Sequence, residues 1–224
     1  GPLFQKEEHD IGRIFMDDNR VVYGVEYTGL MPSYKMADDA LTDELDTLQS
    51  LFPKAAVRLD SWSAEWSKLL IYVSGTGHAG DFFAYDRDAR ELTSLTDARP
   101  DIPATEVANV LTIEYKARDG LTIPSILTLP KGITPETAKN LPTVILPHGG
   151  PGAHDQVGFH WDAQYYASQG YLVLQPNFRG STGFGLDFRE AGYGEWGRKM
   201  QDDVTDGGNA LTKMGWADPD RICI

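Results

Sequence analysis

The sequence predicts an all-β unit built from repeated strands, followed by a mixed α/β unit with a mostly parallel sheet. Before residue 97, short segments rich in Val, Ile, Tyr, Phe and Trp alternate with polar turns, which is typical of antiparallel strands. After residue 107, apolar strands alternate with helical segments. Residues 98–107 contain two prolines and no periodicity, so they are predicted to be a linker between the units.

The all-β unit is predicted to end in one four-stranded repeat. Strands are predicted at four positions about 12 residues apart: 56–62, 69–74, 81–85 and 91–95. Such a unit has the size of one β-propeller blade, so residues 54–97 are predicted to be the last blade and residues 1–97 the C-terminal portion of a propeller. One blade cannot bury both of its faces, which favours a longer protein with further blades before this one.

Two more strands are predicted near the beginning of the chain, at 11–16 and 21–27. A helix is predicted over 41–52, because leucines recur at helical spacing behind Asp38 and Pro53 ends the run. We interpret this helix as an insertion packed on the propeller, with a partner-binding helix as the alternative.

The second unit, residues 108–224, begins with a predicted hairpin whose strands at 108–115 and 121–129 flank the turn 118–120. Buried strands and helices then alternate, with strands at 142–146, 171–175 and 221–224 and helices at 159–169 and 200–214. A hairpin followed by this alternation predicts a mixed sheet with an antiparallel edge.

Composition excludes several classes of function. The 224 residues are 41% hydrophobic and 24% charged, as in a globular protein. The net charge of −13 would repel a phosphate backbone, so no nucleic-acid partner is expected. The longest apolar run, 69–73, is far shorter than the ~20 residues that cross a bilayer, so no membrane partner is expected. The single cysteine, Cys223, excludes a disulfide framework and is predicted to be buried.

Three patterns that resemble binding sites are interpreted as structural. Residues 75–80 fit a dinucleotide fingerprint, but a strand follows where a nucleotide site needs a helix. Three histidines share a spacing of six residues that does not direct them to one metal ion: His148, His154 and His160. An acidic cluster is predicted to be a solvated helix face: Asp202, Asp203 and Asp206. No metal and no cofactor are therefore expected.

The most informative motif, His148-Gly149-Gly150-Pro151, follows the predicted strand 142–146. In an α/β-hydrolase, the loop after the third strand contributes a backbone N–H to the oxyanion hole, and glycine lets that backbone approach the reacting carbonyl. The motif therefore predicts an oxyanion-binding loop, with a simple strand-ending turn as the alternative.

Three more motifs follow in order: Asn177-Phe-Arg-Gly-Ser-Thr-Gly-Phe-Gly185, Trp196-Gly197 and Asp218-Pro-Asp-Arg-Ile222. Together with the His-Gly-Gly-Pro motif, they make the chain resemble the prolyl oligopeptidase family of serine peptidases, near its acylaminoacyl-peptidase and dipeptidyl-peptidase branches. Residues 106–224 carry the resemblance, and 54–97 match as a final blade. The resemblance implies the end of a β-propeller domain followed by the N-terminal half of an α/β-hydrolase domain.

The resemblance also implies roles for individual residues. Gly150, with Gly149 beside it, would contribute backbone N–H groups to the oxyanion hole. His148 lies where some relatives have a tyrosine hydroxyl donor, and it either orients the loop or packs. Support of the active-site loops is implied for four residues: His148, Pro151, Arg179 and Gly180. Trp196 is implied to be a packing anchor.

The nucleophile of this family lies in a Gly-x-Ser-x-Gly motif after the strand that begins at Arg221, and no such motif occurs here. The acidic residue and histidine of the catalytic triad follow that serine in chain order. We therefore expect a segment that is inactive alone, whose partner is the missing C-terminal half of the hydrolase domain. The Gly1-Pro2 pair is interpreted as a cloning remnant.

The function implied by the resemblance is hydrolysis of amide bonds in short peptide substrates through an acyl-enzyme, with no cofactor. Family members variously remove dipeptides, release acylated residues, cut after proline or open isopeptide bonds. An α/β-hydrolase esterase and a non-catalytic binding relative are the alternatives.

Overall fold

The computed structural model describes residues 3–17 and 19–224, so the Gly1-Pro2 pair lies outside the described residues. The first sheet is antiparallel, with the order β1 (Ile11–Met16), β2 (Val22–Tyr27) and β3 (Ser33–Met36). The first two strands occur where the sequence predicts them. The third was not predicted, because its four residues are too few to establish an alternating pattern.

Helix α1 (Asp39–Leu51) follows this sheet and begins where the acidic signal predicts. The Asp38 side chain accepts a hydrogen bond from the Ala40 N–H and caps the first turn. Its buried face consists of three leucines at helical spacing: Leu41, Leu45 and Leu48. These side chains enter the core shared by the first two sheets, so the predicted packing of this helix on the all-β unit is confirmed.

The second sheet is a four-stranded antiparallel meander. Its order follows the chain: β4 (Ala55–Trp62), β5 (Lys68–Gly75), β6 (His78–Asp86) and β7 (Glu91–Asp97). These four strands lie where the sequence predicts them, and the sheet is consistent with the end of a propeller. Residues 75–80 form the β5–β6 turn and the start of β6, as expected from the strand pattern.

The third sheet is mixed and has five strands. They are β8 (Val110–Lys116), β9 (Thr122–Thr128), β10 (Leu141–Ile145), β11 (Leu172–Pro176) and β12 (Ala217–Cys223), in the order β12-β10-β11-β9-β8. Strand β10 pairs in parallel with β11 and β12, whereas β9 is antiparallel to β8 and β11. The predicted mixed sheet with an antiparallel edge is confirmed.

Helices cover both faces of this sheet, which explains why its central strands β10 and β11 carry apolar residues on both faces. They are α2 (Trp161–Ser168), α3 (Leu186–Glu190) and α4 (Lys199–Lys213). Val144 and Val173 point towards α2, where they pack with Ala163. Ile145 and Leu174, the next residues along each strand, point to the opposite face and join a larger core with α4. Within the described residues, no helix combines the length and apolarity needed to cross a membrane.

Two residues predicted to be buried are exposed. Trp196 has 72% of its surface exposed and therefore does not anchor the described structure. Cys223 is exposed because β12 lies at an edge of the described sheet, with a paired strand on one side only. An apolar sequence context cannot by itself predict which neighbours cover a side chain.

The first two sheets contact the third through an apolar cluster and several polar bridges. The buried members of the cluster come from β4, β8, β9 and the loop before α2: Ala56, Val110, Ile126 and Val157. Thr76 Oγ1 accepts a hydrogen bond from the Val110 N–H at 2.8 Å. Ser74 Oγ accepts one from the Phe159 N–H, also at 2.8 Å. These contacts join the meander directly to the mixed sheet.

Candidate functional site

Two loops leave the carboxyl ends of the neighbouring parallel strands β10 and β11. Loop A, residues 146–157, follows β10 and carries the His-Gly-Gly-Pro motif, and loop B, residues 177–185, follows β11. Ligand sites of open α/β sheets form outside the carboxyl ends of the strands. The two motifs singled out in the sequence therefore meet at the edge of the sheet where a site is expected.

Loop A presents backbone donors to solvent. Gly149 and Gly150 are exposed, and neither N–H donates a hydrogen bond to any residue that the structure describes. Gly150 has a φ of +136°, and a Cβ there would approach the Gly152 nitrogen to 2.8 Å. Glycine is therefore required at 150 both by the backbone conformation and by the close approach. Pro151 follows Gly150 through a cis peptide bond.

His148 is held by loop B. Its ring stacks on Phe178, with 4.7 Å between ring centroids, and its Nε2 lies 2.9 Å from Ser181 Oγ. The Ser181 hydroxyl also lies 2.6 Å from the Phe178 carbonyl, and His148 Nδ1 lies 2.9 Å from the Gly149 carbonyl of loop A. The His148 ring thus packs on Phe178 and makes a polar contact with Ser181, both of loop B.

Loop B also holds the far end of loop A. The fully buried Asn177 accepts from the Asp155 N–H at 2.7 Å and donates to the Asp155 carbonyl at 3.0 Å. The Thr182 N–H donates to the Ala153 carbonyl at 3.0 Å. Together with the His148 contacts, these bonds hold loop A on both sides of its glycines. Asn177 lies in a motif that the sequence analysis recognised, but its partners are visible only in the structure.

Arg179 anchors loop B to the rest of the sheet. Its guanidinium pairs with Asp203 of α4 at 2.7 Å and with Asp119 of the β8–β9 turn at 2.8 Å. Its backbone N–H donates to Asp203 Oδ2 at 3.0 Å. Hydrogen bonds from Arg179 hold the pKa of Asp119 well below its usual range, and both carboxylates raise the pKa of Arg179. The buried arginine therefore ties together the loop, the turn and the helix.

The prediction that the acidic cluster of α4 is a solvated face is wrong. Asp203 is fully buried and Asp206 is 8% exposed. Asp206 accepts from the Arg118 N–H at 2.7 Å and from Arg118 Nη2 at 2.9 Å. Asp202, which pairs with Arg118 Nη1, is more exposed than the other two. The two buried carboxylates are tolerated because arginines distant in sequence compensate their charge.

Gly180 lies where loop B passes over the beginning of α4. Its φ is +93°, and a Cβ there would approach Met200 Cε to 2.5 Å. Because the Met200 methyl is the flexible end of a side chain, the positive φ is the main reason for glycine at this position.

The side chain of His154 in loop A faces loop B, with its Nδ1 3.1 Å from Thr182 Oγ1. Burial lowers the pKa of His154, and the nearby His148 lowers it further. The three histidines that share a spacing of six residues do not form a site in the described structure. Among residues 3–17 and 19–224, no three His, Cys, Asp or Glu side chains cluster so that they could hold a metal ion.

Comparison with known proteins agrees with this arrangement. Residues 157–224 match the model of the prolyl oligopeptidase family. Dipeptidyl aminopeptidase BIII of Pseudoxanthomonas mexicana is 34% identical over 207 residues, which cover 91% of this chain and 30% of the relative. The chain belongs to the prolyl oligopeptidase family.

Other relatives extend the similarity over almost the whole chain. Dipeptidyl peptidase family member 6 of Caenorhabditis elegans is 27% identical over 243 residues, covering 99% of this chain and 33% of the relative. A puromycin-hydrolysing peptidase of Mycobacterium tuberculosis superposes with a TM-score of 0.69 at 21% identity, covering 99% of this chain and 33% of that chain. The chain thus spans about a third of the length of these relatives. The prolyl oligopeptidase family match includes loop B, whereas the His-Gly-Gly-Pro motif of loop A lies before it.

Proposed function

We propose that the complete protein is a serine peptidase that hydrolyses amide bonds of short peptides through an acyl-enzyme. The observation that carries this proposal is the pair of exposed N–H groups at Gly149 and Gly150, which lack a partner among the described residues. Family membership and the names of the relatives support a peptidase. Those names make N-terminal dipeptide derivatives the first substrates to test.

The chemistry follows from the needs of acyl transfer. A serine oxygen attacks the amide carbonyl with histidine as general base, and the carbonyl oxygen becomes negatively charged in the tetrahedral intermediate. Fixed N–H donors stabilise that charge without reorganising, and one such donor contributes about 10²–10³-fold to the rate. We assign one donor to Gly150, with Gly149 beside it, and a second to the residue after the nucleophile. The serine, the histidine and its acidic partner belong to the rest of the protein in this proposal.

We also propose the division into domains that the architecture favours. Residues 1–97 are the C-terminal portion of a β-propeller, whose last blade is about 54–97, and residues 98–107 are the linker. Residues 108–224 are the N-terminal half of an α/β-hydrolase domain, completed by the following part of the protein. The meander β4–β7 and the mixed sheet β8–β12 support this division. A propeller beside the site would favour short peptides over folded proteins.

Within this proposal, four residues support the active-site loops: His148, Pro151, Arg179 and Gly180. Their contacts give each a physical basis. His148 joins loop A to loop B, Arg179 joins loop B to α4, and Gly180 adopts a φ of +93° that favours glycine. Pro151 continues loop A directly after the proposed donor, and its carbonyl accepts from the Ala153 N–H at 2.8 Å.

The test uses the complete protein, dipeptidyl and acylaminoacyl amides of a fluorescent amine, the matching esters and a serine-directed fluorophosphonate probe. Amide hydrolysis and labelling by the probe are expected. Gly150→Ala should lower kcat about 10²–10³-fold, because the φ of +136° and the contact with Gly152 displace the donor. Gly152→Ala is the matched control, since a Cβ there meets nothing within 4 Å.

Three outcomes would contradict the proposal. Hydrolysis of esters without amides would point to an esterase. Absence of both activities and of probe labelling would point to a non-catalytic relative. Equal activities of the Gly150→Ala and Gly152→Ala variants would show that loop A does not contribute a donor to the oxyanion hole.

A further inference from the structure

The N-terminal segment reaches across to loop B. Asp10 Oδ2 accepts a hydrogen bond from the Gly183 N–H at 2.6 Å, although the two residues are 173 positions apart. A carboxylate bound to a backbone N–H forms a short, charge-assisted bond that is stronger than a neutral one. This bond therefore holds the end of loop B to the first sheet.

Asp10 is itself anchored in that sheet. Its carbonyl accepts from the Thr28 N–H at 2.9 Å and from Thr28 Oγ1 at 3.1 Å. Thr28 follows β2 directly, so the position of Asp10 is set by the antiparallel ladder of β1 and β2. Because the Asp10 carbonyl accepts two hydrogen bonds from Thr28, the backbone that carries the Asp10 carboxylate is held in position.

The contact leads from Gly183 to the proposed oxyanion loop. Thr182, the preceding residue, donates its N–H to the Ala153 carbonyl at 3.0 Å and contacts His154 through its hydroxyl. The Ala153 N–H closes a turn on the Pro151 carbonyl at 2.8 Å. A short series of bonded residues thus connects Asp10 with the residue after Gly150.

The β2–β3 turn, at the same end of the first sheet, also contacts the end of loop A. The Val157 N–H donates to the Leu30 carbonyl at 2.8 Å, and Gln156 Nε2 donates to the Gly29 carbonyl at 3.2 Å. Arg58 of β4 donates to the Gln156 side-chain oxygen. The β2–β3 turn therefore contacts loop A while Asp10 contacts loop B, so both loops rest on the all-β unit.

We propose that Asp10 is a positioning residue for the oxyanion loop, acting through the Gly183 N–H and loop B. The inference rests on the proposed function, because it assigns to the all-β unit a part in fixing the donors of Gly149 and Gly150. It predicts that loss of this one carboxylate loosens both loops and lowers the turnover number more than the affinity for substrate.

The first measurement is amide hydrogen exchange on the complete protein, which does not depend on activity. Asp10→Ala should speed exchange of the Gly183 amide about tenfold, because its hydrogen-bond acceptor is lost. Exchange in residues 148–157 should also rise, while β5 and β6 should stay unchanged. Asp46→Ala is the control: it removes one negative charge from an exposed position of α1 and should change neither loop. Unchanged exchange at Gly183 in Asp10→Ala would overturn the proposal.

The second measurement is steady-state kinetics with the best amide substrate. Asp10→Ala should lower kcat about tenfold and leave KM within about twofold, since displaced donors affect the transition state most. Asp10→Asn keeps an acceptor oxygen without the charge and should restore part of the loss. Faster exchange at Gly183 with unchanged kcat would refute the positioning role.

Two further outcomes are also decisive. If Asp10→Ala does not fold, Asp10→Asn takes its place: a smaller rise in Gly183 exchange supports the proposal, and exchange equal to the wild type contradicts it. If the unmodified protein hydrolyses neither amides nor esters, the proposed function fails. The exchange of residues 148–157 in the Asp10 variants then still decides whether Asp10 holds loop A.

Discussion

Loops A and B leave adjacent strands of the same sheet, yet they use their polar groups in opposite ways. Loop A exposes two glycine N–H groups that lack partners among the described residues. Loop B is largely buried, and Asn177, Arg179 and Ser181 direct their side chains into hydrogen bonds and ion pairs. One loop offers donors and the other provides rigidity.

This difference shows how a donor can be both free and fixed. An N–H that binds an oxyanion must have no internal partner, and yet it must not move when charge develops. A loop that is fixed only by hydrogen bonds within itself meets both conditions poorly, because those bonds also use the N–H groups that the oxyanion needs. Here the bonds that fix loop A involve Asp155, Ala153 and the His148 ring, and none involves the Gly149 or Gly150 N–H.

The largest effect of a substitution in these loops is expected at Arg179. Arg179→Met should lower the free energy of unfolding by about 3–5 kcal/mol, because it leaves the fully buried Asp203 carboxylate without its cation. Urea denaturation measures the change. Lys131→Met is the control, since Lys131 and its partner Glu106 are both more than half exposed and their ion pair should contribute little to stability. Equal losses of unfolding free energy in the two variants would contradict the role of the Arg179 ion pairs in making loop B the more rigid loop.

An intermediate effect is expected at Asn177. Asn177→Ala should reduce stability by about 1–3 kcal/mol, because it leaves the Asp155 N–H and carbonyl without their buried partner. Exchange of amides in loop A should rise as well. Asn109→Ala, which removes a single 3.4 Å bond from a half-buried amide elsewhere, is the matched control. Unchanged amide exchange in loop A would contradict the proposal that loop B holds loop A in position.

The smallest effect concerns pH. Burial lowers the pKa of His154 from the ordinary value of 6.5, so the unfolded chain takes up a proton before the folded one as the pH falls. Stability should therefore decline as the pH drops through about 6.5, and His154→Gln should remove that part of the slope. Denaturation curves between about pH 7.5 and 5 test this. A wild-type slope that is unchanged in the variant would contradict burial of the ring between the loops.

The regular parts of the fold could be predicted from sequence because local patterns encode them. Apolar runs bounded by turns predict β10 and β11, and the leucine spacing behind Asp38 predicts α1. The positions of loops A and B follow directly, since each motif comes at the end of a strand. Partners distant in sequence could not be predicted in this way.

The acidic residues of α4 illustrate that limit. Asp203 and Asp206 look solvated in a helical pattern, but their arginines come from loop B and from the β8–β9 turn, 24 and 88 residues away. The bond from Gly183 to Asp10 spans 173 residues and has no local signal at all. Burial of a charge depends on the tertiary partner, and the sequence around the charge does not contain that partner.

We propose that loop A holds its glycine donors in place for an oxyanion, and a structure of the complete protein with a peptide boronic acid tests this proposal most directly. The tetrahedral boronate stands for the intermediate of acyl transfer. We expect a boronate oxygen about 2.7–3.1 Å from the Gly150 nitrogen, with loops A and B arranged as they are here. A boronate oxygen bound by other donors, with the Gly150 N–H left facing solvent, would contradict it.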